Sequence, residues 1–155
     1  MYIQDGSGAN GFNFMSTRQD QALQKLKSKG QEAISMDFNK LCKQVFALND
    51  DVRYAAVIDD MGGVVAGGMR KGIDSITDQT NDELYLAQTA LRKSMRQRFD
   101  NTMGKARFAY VEREKLSLIT FYINDHTLVV ALEPNLDSHT AMDIAEDTVE
   151  FLKKA

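Results

Sequence analysis

VRYAAVIDDMGGVVAGGMR, from Val52 to Arg70, contains two runs of β-forming residues hinged on Gly62 and Gly63. Glycine accepts the positive φ that a tight reversal demands, so the stretch predicts a hairpin with strands at Val52–Ile58 and Val64–Arg70. Gly67 and Gly68 interrupt the returning strand. Glycines inside strands mark a bulge or a close approach by another element, and either a bulge or a helix packed tightly over this strand fits them better than a bound ligand does.

Downstream, residues 71–79 are a polar connection. Thr80 or Asn81 can cap a helix there, with Asp82 and Glu83 placed against its positive N-terminal end. Leu84, Ala87, Leu91, Met95 and Phe99 mark one face of a long helix, and Gly104 stands where the chain turns away. Three strands follow, at Ala106–Glu112, Leu116–Ile123 and Thr127–Glu133. Their links, Arg113-Glu114-Lys115 and Asn124-Asp125-His126, are short enough only for antiparallel neighbours. Pro134 stops the last strand. Asp137 or Ser138 then caps a closing helix whose inward face is Ala141, Ile144, Ala145, Thr148 and Leu152.

Upstream, Ile34, Phe38, Leu41, Cys42, Val45 and Phe46 recur at threes and fours and predict an amphipathic helix ending at Asn49-Asp50-Asp51. Residues 15–33 read as a polar helical extension weakened by Gly30, and residues 1–14, with three glycines and no periodicity, as a flexible N-terminal tail. The domain proper is expected at 34–155, in the order helix, two strands, helix, three strands, helix.

At 155 residues the chain suits one domain with a sizeable core, and its 43% hydrophobic and 26% charged residues are those of a globular protein. A net charge of −3 does not favour nucleic acid as a partner. No apolar run approaches the ~20 residues that span a bilayer, so no membrane partner is expected. The lone Cys42 permits no internal disulfide, and with no secretory signal pattern at the start the expected location is cytoplasmic.

The glycine-rich stretch GGVVAGGMRK, Gly62 to Lys71, is not a phosphate-binding loop: Gly72, not serine or threonine, follows the lysine, and the stretch is too β-rich to open a helix. His126, His139 and Cys42 are too dispersed for a metal site, and Asp59-Asp60 read as solvated turn residues. Cys42 falls on an apolar stripe and reads as a small core residue rather than a nucleophile. No catalytic residue, cofactor or metal is expected. Between Arg92 and Arg113, seven bases face two carboxylates. Arg92, Lys93, Arg96 and Arg98 form a candidate basic face for an acidic partner.

This succession of elements resembles the roadblock/dynein light chain domain. The hairpin, read as VIDxMGxxVAGG from Val57 to Gly68, is also similar to one found in small archaeal proteins. The resemblance implies an α+β fold, roadblock/profilin-like, with a five-stranded antiparallel sheet and helices on both faces. It further implies a homodimer paired through the first strand of the meander, so Arg107, Phe108 and Tyr110 are candidate interface residues. Domains of this kind are not enzymes. They scaffold or regulate protein partners, small Ras-like GTPases among them, and that is the function expected here. The alternative is a small-molecule sensor of related fold, motivated by Gly67-Gly68 and eight methionines that would leave an adaptable cavity.

Overall fold

The computed structural model describes residues 36–154. Its elements are helix α1 (Phe38–Leu48), strands β1 (Val52–Ile58) and β2 (Val64–Met69), helix α2 (Gln79–Gln97), the single turn α3 (Asp100–Met103), strands β3 (Phe108–Glu112), β4 (Ser117–Ile123) and β5 (His126–Leu132), and helix α4 (Ser138–Lys154). The order α-β-β-α-β-β-β-α is the expected one, with α3 as an added turn too short to carry a hydrophobic period. The proposed tail, the polar extension and Ile34 lie outside the described residues.

The five strands form one antiparallel sheet in the order β2-β1-β5-β4-β3. Central position explains composition. β1 and β5 are flanked on both edges and covered on both faces, so Ala55–Ile58 and Thr127–Leu132 are buried without interruption. β3, at the edge, buries none of its residues fully.

Alternation assigns the two faces. Ile58, Leu118, Val129 and Ala131 form one cluster with Ala90 of α2, and half-buried Tyr54, Tyr85, Leu86 and Leu116 pack around it. The opposite face carries Val57, Ile119, Phe121, Leu128 and Val130, all essentially inaccessible. Helices α1 and α4 cover that side: α1 lies against β1 and β2, α4 reaches β4, and the two helices touch. Phe38 of α1 packs on His126 with ring centroids 4.8 Å apart.

Capping fixes the helix starts. Asp37 accepts the Lys40 amide at 3.1 Å ahead of α1. Asp78 accepts the Asn81 amide at 2.8 Å ahead of α2, so that helix begins before the expected Thr80 or Asn81. Asp137, as expected, accepts the Thr140 amide at 2.9 Å ahead of α4. In α4, Ala141, Ile144, Ala145 and Thr148 are buried as read, with Val149 replacing the half-buried Leu152.

Gly67 serves close approach. Its φ is +80°, and a Cβ there would meet the Ala55 carbonyl oxygen at 2.1 Å and the Cys42 Sγ at 2.8 Å. The β1–β2 register shift falls elsewhere, between Val57 and Ile58. Cys42 is buried, and desolvation raises its thiol pKa, which keeps it a protonated core residue.

Arg70 closes the open end of the hairpin. Its Nε donates to the Val52 carbonyl at 2.7 Å, and one terminal nitrogen donates to the carbonyls of Phe46 at 2.8 Å and Asn49 at 2.9 Å. The guanidinium also sits 5.1 Å from the Phe46 ring centroid. One side chain thereby satisfies the C-terminal carbonyls of α1 and ties them to β1 and β2.

Candidate functional site

Helix α2 sits on the sheet by a narrow seam. Thr89, Ala90 and Lys93 are its buried residues. The apolar stripe read along it faces outward: Leu84, Leu91, Met95 and, just beyond the helix, Phe99 are between 54% and 60% exposed. Val111 on the edge strand is also exposed, and its pairing with Leu118 puts it on the α2 side of the sheet. An outward apolar stripe and an edge strand are each features that a helical or strand partner can cover.

The candidate basic face is not one surface. Lys93 is 5% exposed and donates from Nζ to the Asn124 carbonyl. Its pKa is lowered, mainly by desolvation and against the pull of Asp125 and Asp60. Lys93 therefore leaves the exposed face: its position on α2 aims it at the β4–β5 turn, where Asn124 has a φ of +47°. Arg92 stacks over Tyr85 at 5.3 Å and donates to the Thr89 hydroxyl at 3.1 Å. Arg96 is exposed and donates to the Tyr122 hydroxyl at 2.9 Å, and Arg98 is exposed.

The candidate interface residues of the edge strand are arranged differently from one another. Phe108 and Tyr110 pair with Phe121 and Ile119, so their side chains lie on the face opposite α2 and are half-buried. Phe108 packs on Phe121 with ring centroids 5.9 Å apart. The Tyr110 hydroxyl donates to Glu112 at 3.1 Å and lies 3.3 Å from the Ser117 hydroxyl. Arg107 is paired with Glu146 of α4 at 3.0 Å, a hydrogen-bonded contact that raises the arginine pKa and lowers that of the carboxyl. Both partners are more than half exposed, so the pair adds little stability.

Under the N-terminal half of α2 lies a cavity of about 580 Å³, floored by sheet residues such as Tyr54 and Leu118 and walled by the 75–77 loop and the β3–β4 turn. Sequence reading expected an adaptable cavity only from Gly67-Gly68 and the methionines, of which Met69 alone lines this one. The alternation of Tyr54, Ala56 and Ile58 along β1 shows which residues face α2, but not how far the helix stands from them. Among the described residues no group of three or more histidine, cysteine or carboxylate side chains is placed to hold a metal ion, and no helix is long and apolar enough to cross a membrane.

Three solved structures show the same fold at low identity. A Roadblock/LC7 domain from Streptomyces avermitilis is 14% identical with a TM-score of 0.53, covering 77% of this chain and 97% of its own. MglB from Myxococcus xanthus is 14% identical with a TM-score of 0.56, covering 78% and 95%. Profilin II from Acanthamoeba castellanii is 15% identical with a TM-score of 0.51, covering 75% and 96%. No curated protein matches the sequence. The pattern described as "Family of unknown function (DUF6659)" matches residues 31–154. The chain therefore belongs to that family, and its described domain has the roadblock-like α+β fold.

Proposed function

We propose that the protein is a non-catalytic, dimeric interaction module that regulates or scaffolds a protein partner, with a small Ras-like GTPase as the partner class. One observation carries the reading: the outward apolar stripe of α2, Leu84, Leu91 and Met95, on the side of the sheet to which exposed Val111 of the edge strand β3 also points. Monomeric proteins rarely leave such a stripe in water, and a second copy presenting the same stripe and edge would cover both by two-fold symmetry. The likeness to MglB and to a Roadblock/LC7 domain supports the fold-level part of this reading. Phe108 and Tyr110 are half-buried on the face opposite α2, which supports seating the apolar contacts of the proposed interface on Val111 and α2. Arg96 and Arg98, with Arg92 beside them, form the exposed basic patch for an acidic partner surface.

The test is affinity capture from native extract, run in parallel with a GTP analogue and with GDP. Recovery of a small GTPase that depends on the nucleotide supports the reading. Recovery of a different protein unaffected by the nucleotide, or of no GTPase, overturns that partner class.

A further inference from the structure

The α2 stripe is chemically uneven. Leu84, Leu91 and Phe99 carry hydrocarbon side chains that mild oxidants leave alone, whereas Met95, four residues from both Leu91 and Phe99, carries a thioether and is 57% exposed. We propose that Met95 is a redox switch on self-assembly: a peroxide converts its thioether to a sulfoxide, and the sulfoxide blocks pairing through α2. The switch rests on the reading of this stripe as the dimer seam, and it adds a means of regulating that seam.

The step balances with hydrogen peroxide as the only co-reactant. The sulfur lone pair attacks one peroxide oxygen, the O–O bond breaks, a sulfur–oxygen bond forms, and the second oxygen leaves as water with both protons. Sulfur gives up two electrons and the peroxide takes them. A flexible apolar side chain becomes a polar one. Stripping water from the new oxygen costs more than stripping it from a thioether, on the order of tenfold in affinity for each buried copy. A two-fold seam buries the residue twice, so oxidation of both copies should weaken the dimer by about a hundredfold.

Position, not exposure alone, singles out Met95. Met61 and Met103 are more exposed, at 80% and 78%, but Met61 sits in the β1–β2 turn and Met103 ends α3. Their oxidation leaves the stripe itself apolar. Met69 and Met142 are half-buried and belong to β2 and α4. Cys42 does not compete: it is buried and its thiol stays protonated, whereas the thiolate is the reactive form. In the lone chain Met95 faces water, and in the dimer the seam covers it. Peroxide therefore reaches it in the unpaired chain, and its oxidation should slow as protein concentration rises.

Partial oxidation of the whole chain by dilute hydrogen peroxide, followed by size-exclusion separation and peptide mass mapping of each fraction, tests the switch. We expect a dimer before peroxide and, after it, Met95 sulfoxide enriched about tenfold or more in the monomer fraction, with Met61 and Met103 sulfoxides divided evenly. Methionine sulfoxide reductases with a dithiol should return that monomer to dimer. Circular dichroism should not change, because Met95 faces water in the lone chain; a lost helical signal would make unfolding the cause and overturn the switch. A chain that is monomeric before peroxide overturns the dimer reading and the switch with it. A dimer that persists with Met95 oxidised in both copies, or enrichment that follows Met61 or Met103 instead, overturns the switch and leaves the dimer reading standing.

Discussion

Gly62 and Ala87 meet backbone to backbone: a Cβ on residue 62 would lie 2.7 Å from the Ala87 Cα. This contact joins the hairpin turn to α2, and it fixes how far the helix stands from the sheet. Gly62 also has a φ of +90°, which L side chains rarely adopt.

Replacing Gly62 with alanine adds two penalties, left-handed backbone strain and a collision with a helix backbone that cannot swing aside. Gly72 is a matched control, with a φ of +82° and open space around its Cβ position. Gly72→Ala should cost roughly 1 kcal/mol from backbone strain alone. Gly62→Ala should cost clearly more, on the order of 2–4 kcal/mol, because overpacking adds ~1–3 kcal/mol. Urea denaturation of both variants measures the difference. Equal losses would mean that α2 yields freely at this contact.

Arg70 supports a second prediction. Arg70→Met keeps the aliphatic stem but leaves the carbonyls of Val52, Phe46 and Asn49 without their side-chain donor. Each lost hydrogen bond at a part-buried group costs ~0.5–1.5 kcal/mol net, so with three lost we expect about 2–4 kcal/mol in chemical denaturation. Arg70→Lys should recover less than half of it, because a single ammonium cannot span carbonyls on both α1 and β1 as the guanidinium does. Full recovery by lysine would show that charge, not the fork geometry, holds this corner.

Much of this was legible beforehand, and the reasons differ by element. Ala141, Ile144, Ala145 and Thr148 were readable because α4 has one covered face and one wet face, so its period is clean. The hairpin and meander were readable because Gly62 and the short links leave few other conformations. On α2 the apolar stripe was plain, yet its direction was not: an outward stripe has the same period as a core stripe, and the inner seam of Thr89, Ala90 and Lys93 is too short and too polar to announce itself. Lys93 illustrates the limit. In sequence it belongs with Arg92 and Arg96, and one step of 100° around the helix carries it from the solvent to Asn124.

Acid should weaken the fold through two turn carboxylates. The Asp59 pKa is lowered, first by the Gly63 amide and then by the Met61 amide, and that of Asp137 is lowered by the Thr140 amide and hydroxyl. Both folded values lie below the unfolded value of about 3.9. The linked stability is therefore whole above that pH and is lost as pH falls through the folded values. Asp59→Asn and Asp137→Asn keep an acceptor oxygen but cannot titrate. The double variant should lose less stability than the wild type between pH 6 and pH 2.5, as read by urea midpoints. A loss as steep as that of the wild type would place the acid-sensitive groups elsewhere.

The stripe on α2 gives the last prediction. Leu91 and Met95 are 60% and 57% exposed and lie one turn apart, so substitution there should hardly disturb a lone chain. Leu91→Glu with Met95→Glu should change folding stability by less than ~1 kcal/mol, as expected for surface sites away from the core. If the stripe is the dimer seam, the same variant places like charges from both copies against each other, which costs several kcal/mol. Sedimentation equilibrium should then report a dimer for the wild type and a folded monomer for the variant. Phe108→Glu separates this seam from the core, because Phe108 packs on fully buried Phe121: it should lower the unfolding midpoint even at protein concentrations too low for a dimer, whereas the α2 variant should lower it only by the share that dimer formation supplied. A variant that stays dimeric with both glutamates in place would remove α2 from the interface and leave the edge of β3 to form it alone.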